Sequence, residues 1–259
     1  AWIITLDVGH GLAVLVRTAS PPLLYDAGPA FGAASDSGER VVAPLLRAQG
    51  IEELAAFVVS HEAADHAGGA ASVLQNFEVG VLLSSLPDRH PLLALAPAAR
   101  RCAAGQRWNW DGVAFAILHP ENLRERKANN LSCVLKVSAG GRAMLLTADI
   151  ERPAEAALLA RDRAAVRSDV LLVPHHGSRT SSSAEFLAAV RPEFAVVPAG
   201  YRNRFGHPHP SVLERYALLP ATILRTDRDG AVTVRLAPSG VRAEGERRLR
   251  RRYWHNAPA

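Results

Sequence analysis

Short apolar runs rich in β-branched residues recur along the chain, and turn residues bound each of them. Their length and composition predict β-strands at Ile3–Leu6, Ala13–Val16, Leu23–Tyr25, Phe57–Ser60, Val79–Leu83, Val113–Leu118, Ser132–Val137, Ala143–Thr147, Val170–Pro174, Phe194–Pro198, Thr222–Leu224 and Ala231–Leu236. The stretches between them predict helices near 40–49, 68–76, 91–99, 152–161, 183–190 and 211–218. Strands come first and then alternate with helices, and this pattern restarts near the middle of the chain. The order favours an α+β fold, an αββα sandwich of two mixed β-sheets with helices on the outer faces.

Composition is consistent with one globular domain. Of the 259 residues, 48% are hydrophobic and 21% are charged, and no linker rich in Gly, Ser or Pro divides the chain. The net charge is +5, and residues 242–252 contribute six arginines against two glutamates. We therefore predict a domain over residues 1–241 and a basic C-terminal tail over 242–259. Such a tail suits a polyanion or an anionic membrane surface, and a solvated tail without a partner is the alternative.

Cysteine usage bears on the compartment of the protein. Cys102 and Cys133 are the only cysteines, too few for a disulfide scaffold and without the CxxC spacing of a zinc site. We expect two buried free thiols, whereas a bridge would indicate an oxidising compartment. No apolar run is long enough to span a bilayer and no signal peptide is visible. The start at Ala1 without a methionine suggests a segment of a longer protein, although methionine processing would give the same start.

Polar residues that could bind a metal or take part in catalysis follow the predicted strands. Asp26, His61, Asp149 and His175 each come directly or nearly directly after an apolar run, and His207 lies in a loop after another. Functional groups commonly collect on loops that a rigid scaffold holds in place. We therefore expect these side chains to gather at one edge of the sheets.

The segment after the fourth strand has the pattern of a metal site. It reads His61-x-x-x-Asp65-His66, followed by Gly68-Gly69. Imidazole and carboxylate ligands suit zinc and, with more oxygen ligands, manganese. The glycines allow a sharp turn into the next helix. A lone histidine after a strand is usually structural, but a histidine in this pattern is more often a ligand.

This segment resembles the His-x-His/Asp-x-Asp-His motif of the metallo-β-lactamase superfamily. Further segments resemble, in the same order, motifs of the C-terminal domain of ComEC-type competence proteins, which form the inner-membrane channel for DNA uptake: Leu6-Asp7-Val8-Gly9-His10-Gly11, Asn130-Leu131-Ser132-Cys133-Val134-Leu135, Leu146-Thr147-Ala148-Asp149, Val173-Pro174-His175-His176-Gly177-Ser178 and Asn203-Arg204-Phe205-Gly206-His207-Pro208-His209-Pro210. Three positions depart from the family pattern. Ala63 stands where the family has a metal-ligating Asp or His, His10 replaces a Gln, and Ala148 replaces a Gly. His10 is then either an accidental donor near the site or a satisfied loop histidine.

The resemblance implies a role for each matching residue. His61 would serve a first metal subsite that lacks its partner at position 63, Asp65 and His66 would serve a second, and Asp149 would bridge the two. His175 is the expected remaining imidazole ligand, with His176 and His207 as competitors. Groups expected to orient the ligands are Asp7, Asp26 and His176. Groups expected to take part in catalysis are Asp65, His207, Asn130 and Ser178. Groups expected to hold phosphate are Arg179, Asn203, Arg204 and His209, and surface solubility is the alternative role of these arginines.

The implied activity is that of a phosphodiesterase that depends on Mn or Zn, a DNase domain that degrades the non-transforming strand during natural transformation. The implied partners are DNA, the rest of the channel in the same full-length chain and other competence proteins, on the periplasmic face of the inner membrane. Aromatic residues make up only 6% of the chain and form no evident base-stacking motif, so we expect sequence-independent contact with the DNA backbone. Because of Ala63, the alternative is a weakened or inactive module that guides DNA. Hydrolysis of another small ester is a third reading, since a fold does not fix a function.

Overall fold

The computed structural model describes residues 1–32, 34–121 and 127–252. The strands in these residues are β1 (Trp2–Thr5), β2 (Val14–Arg17), β3 (Leu23–Tyr25), β4 (Ala30–Gly32), β5 (Ser35–Asp36), β6 (Glu53–Leu54), β7 (Ala56–Val59), β8 (Glu78–Val79), β9 (Leu82–Ser84), β10 (Ala99–Arg101), β11 (Arg107–Trp110), β12 (Val113–His119), β13 (Val134–Ala139), β14 (Arg142–Leu146), β15 (Val170–Leu172), β16 (Phe194–Val197), β17 (Thr222–Arg225), β18 (Val232–Ala237) and β19 (Gly240–Gly245). The α-helices are α1 (Ala43–Ala48), α2 (Ala64–Ala67), α3 (Ala70–Asn76), α4 (Leu92–Leu95), α5 (Arg152–Asp162), α6 (Ala184–Val190), α7 (Pro210–Ala217), α8 (Thr226–Asp229) and α9 (Glu246–Leu249). A π-helical turn at Gly38–Val42 and 3₁₀ turns at Ala128–Leu131 and Pro174–Gly177 complete the helical segments.

Two large mixed sheets form the body of the domain. An eight-stranded sheet has the order β10-β9-β7-β3-β2-β1-β18-β19, and a seven-stranded sheet has the order β11-β12-β13-β14-β15-β16-β17. Parallel pairing joins β3 to β7 in the first sheet and β14, β15 and β16 in the second. The predicted αββα sandwich is confirmed.

Alternation along the strands explains the layers. In β7, Ala56 and Val58 face the core between the sheets, whereas Phe57 and Val59 face the helices outside. In β15, Leu172 faces the inner core and Leu171 packs under the outer helices. Because successive strand residues point to opposite faces, strands buried on both faces read as continuous apolar runs. Eleven of the twelve predicted strands are present with small differences at their ends, whereas the predicted strand Val79–Leu83 is divided between β8 and β9, which lie in different sheets.

The predicted helix at 91–99 is shorter than expected. Helix α4 ends at Leu95, because Pro97 disfavours the helical conformation at the preceding residue, and Ala96 is extended with ψ of 136°. The chain then continues into β10, which pairs in parallel with β9.

The expectation of two free thiols is wrong. Cys102 and Cys133 form a disulfide, with Cα atoms 5.8 Å apart although the residues are 31 positions apart in sequence. Cys102 directly follows β10 of the first sheet, and Cys133 directly precedes β13 of the second. The bridge therefore links the two sheets, an arrangement that only the tertiary fold creates.

The predicted domain boundary after residue 241 falls inside a strand. Residues Gly240–Gly245 form β19, which pairs with β18 along its whole length. Beyond it, Arg247 Nη2 lies 2.6 Å from Asp7 Oδ2, and Arg248 forms an ion pair with Asp229. Two of the six arginines in this segment are thus paired with carboxylates elsewhere in the fold. The end of the predicted tail, residues 253–259, lies outside the described residues.

The sheet topology brings together the polar residues that follow the strands. Asp26 follows β3, His61 follows β7, Asp149 follows β14, and His175 and His176 follow β15. The carboxyl ends of parallel strands meet at one edge of a sheet, and the two sheets face each other, so these loops converge at one edge of the sandwich. Among the described helices, none is both long and apolar enough to cross a membrane.

Candidate metal centre

Four side chains converge at this edge of the sandwich. One ligand atom from each of Asp65, His66, Asp149 and His176 lies within 4.8 Å of all the others. His66, Asp149 and His176 are buried, whereas the Asp65 side chain is 29% exposed. Access to the cluster from solvent is therefore on the side of Asp65.

The Asp26 carboxylate fixes the orientation of His66. His66 Nδ1 lies 2.8 Å from Asp26 Oδ2, and both side chains are fully buried. Since the carboxylate can only accept, Nδ1 carries a hydrogen, so Nε2 is the ring nitrogen that faces the cluster and that offers a lone pair when the ring is neutral. Ser60 donates two further hydrogen bonds to Asp26, from its backbone nitrogen and its hydroxyl.

A backbone carbonyl fixes His176 in the same way. His176 Nδ1 donates to the Pro198 carbonyl oxygen at 2.7 Å, so its Nε2 also offers a lone pair to the cluster. His175 and His176 both have left-handed backbone conformations, with φ of 50° and 54°. Because of these two uncommon backbone conformations, the neighbouring rings point in different directions, and only the His176 ring enters the cluster.

The cluster has the dimensions of a metal site. His66 Nε2 is 3.0 Å from Asp149 Oδ1 and 3.2 Å from His176 Nε2, and His176 Nε2 is 3.2 Å from Asp65 Oδ2. Four ligands at about 2.0–2.2 Å from a tetrahedral zinc ion would lie roughly 3.3–3.6 Å apart. Asp149 Oδ1 is buried between the two imidazoles, 3.0 Å from His66 Nε2 and 3.4 Å from His176 Nε2. Two nitrogen lone pairs and two carboxylate oxygens at this separation therefore fit a divalent cation.

The pKa values of the cluster residues show that the site favours positive charge. Burial opposes charge on Asp149, but the imidazoles of His66 and His176 outweigh it and hold the pKa of Asp149 well below its usual value. Burial also opposes protonation of His66, yet the Asp149 and Asp26 carboxylates raise the pKa of His66 well above the ordinary value. The cluster thus recruits positive charge, which either protons or a metal ion can supply.

His61 lies beside the cluster but is not part of it. Its Nδ1 is 3.0 Å from Ser60 Oγ, and its buried Nε2 has no hydrogen-bond partner and lies 4.0 Å from Asp149 Oδ2. Burial, followed by the neighbouring His66, lowers the pKa of His61 to about 4, so the ring is neutral at pH 7. Ala63 has no ligand atom, and the neighbouring Glu62 is exposed. The expected first subsite therefore has one buried imidazole, that of His61, and no ligand side chain at position 63.

His175, the expected ligand, contacts a different group. Its Nδ1 is 3.2 Å from Thr180 Oγ1 and 3.4 Å from Glu151 Oε1, and its Nε2 is 3.6 Å from Asp149 Oδ2. Glu151 is buried and also pairs with Lys127. His175 therefore lies at the rim of the cluster, and the structure places His176 in the position expected for it.

The other expected residues divide between the site and the scaffold. Asp7 pairs with Arg247 rather than with a site histidine. Asn130 uses its side-chain oxygen to accept the Glu151 backbone N–H at 3.0 Å, which shapes the loop after β14. Ser178 Oγ contacts Thr180 Oγ1 at 3.0 Å, close to His175. Arg179 is exposed next to them.

The loop between β16 and α7 contributes the remaining expected residues. Arg204 is exposed, and the His207 ring lies 5.7 Å from the His175 ring. Asn203 uses its whole amide group within the loop, and His209 caps α7 by accepting the Ser211 backbone N–H. His207 and Arg204 are thus beside the site, whereas Asn203 and His209 shape the loop.

Several residues that support the site carried no signal of their own in the sequence. Ser60 joins Asp26 to His61, and Ser132 Oγ lies 3.4 Å from His61 Nδ1 and accepts the Asp149 backbone N–H at 3.3 Å. Glu151 orients His175. Ser60 directly precedes the motif that begins at His61, and Ser132 stands inside another of the motifs quoted above, so this position in the sequence was the only sign of a role.

Comparison with known proteins decides the family. The profile of the metallo-beta-lactamase superfamily matches residues 6–201, about three quarters of the chain. The chain belongs to the metallo-beta-lactamase superfamily. This domain is 40% identical over 258 residues to competence protein ComA of Neisseria gonorrhoeae, covering 100% of the chain and 35% of that protein. It is 36% identical over 239 residues to recombination protein 2 of Haemophilus influenzae, covering 89% of the chain and 28% of that protein.

These similarities concern part of longer proteins. ComE operon protein 3 of Bacillus subtilis is 30% identical over 251 residues, which cover 89% of the chain and 32% of that protein. The chain therefore spans about a third of the length of the curated relatives it matches.

Solved structures agree on the fold. The metallo-beta-lactamase fold protein YhfI of Bacillus subtilis superposes with a TM-score of 0.53 at 12% identity, covering 86% of this chain and 95% of that one. An E377D mutant of CmlA beta-hydroxylase superposes with a TM-score of 0.61 at 15% identity, covering 90% of this chain and 54% of that one. At these identities the likeness establishes the fold alone.

Proposed function

We propose that this domain is a metal-dependent phosphodiesterase that acts on DNA, built on one divalent metal site. The single observation that carries the proposal is the convergence of Asp65, His66, Asp149 and His176 within 4.8 Å of one another. Similarity to competence proteins along the whole chain supports DNA as the substrate.

The residues of the chain have distinct tasks in this proposal. A divalent ion held by the four ligands would polarise a phosphate oxygen and lower the pKa of a coordinated water. Asp65 is the partly exposed ligand, so the scissile phosphate enters on its side. Asp26 and the Pro198 carbonyl keep the two imidazoles in the ligating tautomer. His175, oriented by Glu151 and Thr180, stands at the rim where it can hold or transfer a proton to the leaving group.

The disulfide supports a position outside the cytoplasm. Disulfides persist in oxidising compartments and are rare in the cytosol, and Cys102–Cys133 links the two sheets, with the Cys133 backbone N–H donating to the carbonyl oxygen of Ser60. We therefore place the domain on the periplasmic face of the inner membrane. There it would be one part of a longer DNA-uptake channel protein, would work with other competence proteins, and would degrade the strand that is not imported.

A nuclease assay tests the proposal. The purified domain is stripped of metal and then supplied with Mn²⁺ or Zn²⁺ together with labelled single- and double-stranded DNA. We expect cleavage that EDTA stops and that Asp149→Asn reduces by more than about 100-fold, beyond the loss typical of groups that merely support a ligand. The matched control is Asp111→Asn, which makes the same change at an exposed turn. Asp111 lies before the start of β12, at the opposite end of that strand from the site, and has a φ of 52° that asparagine tolerates.

Ala63 favours one alternative function, a DNA-guiding module without turnover. That alternative predicts DNA binding that weakens steeply with salt, because lysine and arginine contacts to phosphate release counterions, but no cleavage with any metal. Cleavage that survives Asp149→Asn unchanged would instead belong to a contaminant and would remove the proposed activity.

A further inference from the structure

Two exposed aromatic rings stand in the loop between β16 and α7, which we call the 201–207 loop. Tyr201 is 60% exposed and Phe205 is 54% exposed, although rings of this size are usually buried. Each ring has an arginine against it, because Arg202 Cζ lies 5.2 Å from the Tyr201 ring centroid and Arg204 Cζ lies 4.9 Å from that of Phe205. An exposed aromatic ring next to a cation is the combination that single-stranded nucleic acids meet in their binding grooves.

Other rings connect Phe205 to the cluster of four proposed ligands, Asp65, His66, Asp149 and His176, which we call the metal cluster. It stacks on His10, with centroids 4.8 Å apart and planes at 28°, and on His207 at 5.9 Å and 23°. The His10 ring in turn lies 4.6 Å from that of His176, one of the four proposed ligands. A continuous row of rings therefore leads from solvent at Phe205 to the metal cluster.

The 201–207 loop is held firmly in this position. Asn203 Nδ2 donates to the carbonyls of Gly200 and His207, and Asn203 Oδ1 accepts the His207 backbone N–H at 3.0 Å. Gly200 packs directly on the turn that carries His10, where a Cβ atom would lie 2.4 Å from the His10 nitrogen. A loop that is braced internally and against its neighbour presents Phe205 without a large ordering cost on binding.

We propose that Phe205 is a stacking platform for an unpaired nucleobase of the DNA substrate, and that the guanidinium of Arg204, which lies over the ring in the free domain, turns to face the adjoining phosphate. The proposal rests on the proposed phosphodiesterase function and specifies the form of its substrate. A base in a duplex is already stacked and paired, so this platform selects single-stranded DNA or a frayed end. Because every base has a π face, the platform tolerates any sequence. It adds a base contact to the backbone contacts expected from the sequence.

A binding experiment isolates the platform from catalysis. Anisotropy of a fluorescein-labelled single-stranded 12-mer is measured with the domain in EDTA, so that no cleavage occurs. Base–aromatic stacking contributes about 1–3 kcal/mol per base, so Phe205→Leu should weaken binding by about 5- to 150-fold while Phe205→Tyr retains most of the affinity. Phe205 is exposed, so neither change disturbs the core. The slope of affinity against salt should stay the same, because phosphate contacts remain.

Abasic DNA and a second variant provide the controls. A 12-mer in which abasic residues replace the nucleotides should bind the unaltered domain as weakly as Phe205→Leu binds the normal strand, and Phe205→Leu should not distinguish the two strands. Trp2 is also half-exposed, with Arg235 Cζ 5.2 Å from its ring, but it opens β1 at the end away from His10. Trp2→Leu should therefore leave binding unchanged.

The outcomes separate this proposal from the proposed function. Cleavage of DNA with no effect of Phe205→Leu or of abasic residues overturns the platform and leaves the phosphodiesterase standing. Base-dependent binding through Phe205 without any cleavage supports the platform and removes the phosphodiesterase. An equal loss of binding in Trp2→Leu and Phe205→Leu also overturns the platform, because it would show a general effect of surface rings.

Discussion

The Asp26 carboxylate and the His66 imidazole form a fully buried pair, with Oδ2 and Nδ1 2.8 Å apart. Ser60 completes the arrangement by donating two hydrogen bonds to the carboxylate. Since Asp26 directly follows β3 and Ser60 directly follows the neighbouring parallel strand β7, the sheet itself sets the distance between them. The orientation of His66, a proposed metal ligand, therefore depends on the pairing of two strands.

Replacing Asp26 tests this relationship. Asp26→Asn is expected to lower the affinity for Zn²⁺ or Mn²⁺ by about 10- to 100-fold, because an amide fixes the ligating tautomer of His66 less firmly than a carboxylate does. Competition with a chromogenic chelator measures the affinity, and Asp111→Asn is the matched control. Metal affinity equal to that of the unaltered domain, in a variant with an unchanged circular dichroism spectrum, would show that Asp26 has only a packing role.

Metal stoichiometry tests the incomplete first subsite. We expect about one metal ion per chain in the unaltered domain, because His61 offers a buried Nε2 without a neighbouring ligand at position 63. Ala63→Asp supplies that carboxylate and should raise the metal content toward two ions, as measured by elemental analysis after dialysis. Ala64→Asp adds the same charge at the next, exposed position and should leave the stoichiometry at one. Two ions in the unaltered domain, or an equal rise in both variants, would contradict this account.

Much of the fold and part of the site could be predicted from the sequence. Strands buried on both faces, such as β7 and β15, read as apolar runs, and the position of Asp65, His66 and Asp149 after such runs predicts their convergence. The edge strands β10, β11 and β19 escaped prediction because they carry exposed and polar residues that do not form an apolar run, whereas the edge strand β17 was predicted.

The remaining features depend on contacts that have no local signature. His175 and His176 are adjacent, and only the two left-handed backbone conformations decide which ring enters the cluster. Phe205 lies against His10, nearly 200 positions away in sequence. The disulfide likewise depends on how the two sheets face each other. The spacing of residues in the sequence can identify a candidate ligand when the whole motif lies in one tight loop, as for Asp65 and His66. It cannot do so when the contact is made between segments that are distant in the sequence.

The disulfide should contribute strongly to stability. Closing a loop of about 31 residues in the unfolded chain corresponds to about 3–4 kcal/mol in the chain-entropy treatment. Reduction, or replacement of Cys102 and Cys133 together by Ser, is expected to lower the free energy of unfolding by about 2–4 kcal/mol in urea titrations. Reductant should have no effect on the double Ser variant, which controls for other actions of the reagent. Equal stability of the oxidised and reduced domain would be inconsistent with a structural role for the bridge.

Glu155 gives a pH-dependent prediction away from the metal cluster. Its buried carboxylate accepts the backbone N–H groups of Ser182 and Ser183 at 2.5 and 2.9 Å, and so ties α5 to the start of α6. Burial outweighs these hydrogen bonds and raises the pKa of Glu155 above its ordinary value. Because the folded pKa exceeds the unfolded one, the stability from this group is fully present below the unfolded pKa and is lost as the pH rises through the folded pKa.

Glu155→Gln removes this titration and keeps the side-chain shape. At low pH the variant should be less stable than the unaltered domain by about 1–3 kcal/mol, since the amide has only one oxygen for two backbone donors. As the pH rises, the unaltered domain acquires an unfavourable buried charge, so the difference should shrink or reverse in favour of the variant. Urea titrations of both proteins at several pH values from 4 to 8 measure this difference. A difference that stays constant, or that grows with pH, would mean that the folded-state pKa of Glu155 is not raised, and that its two backbone hydrogen bonds outweigh the cost of its burial.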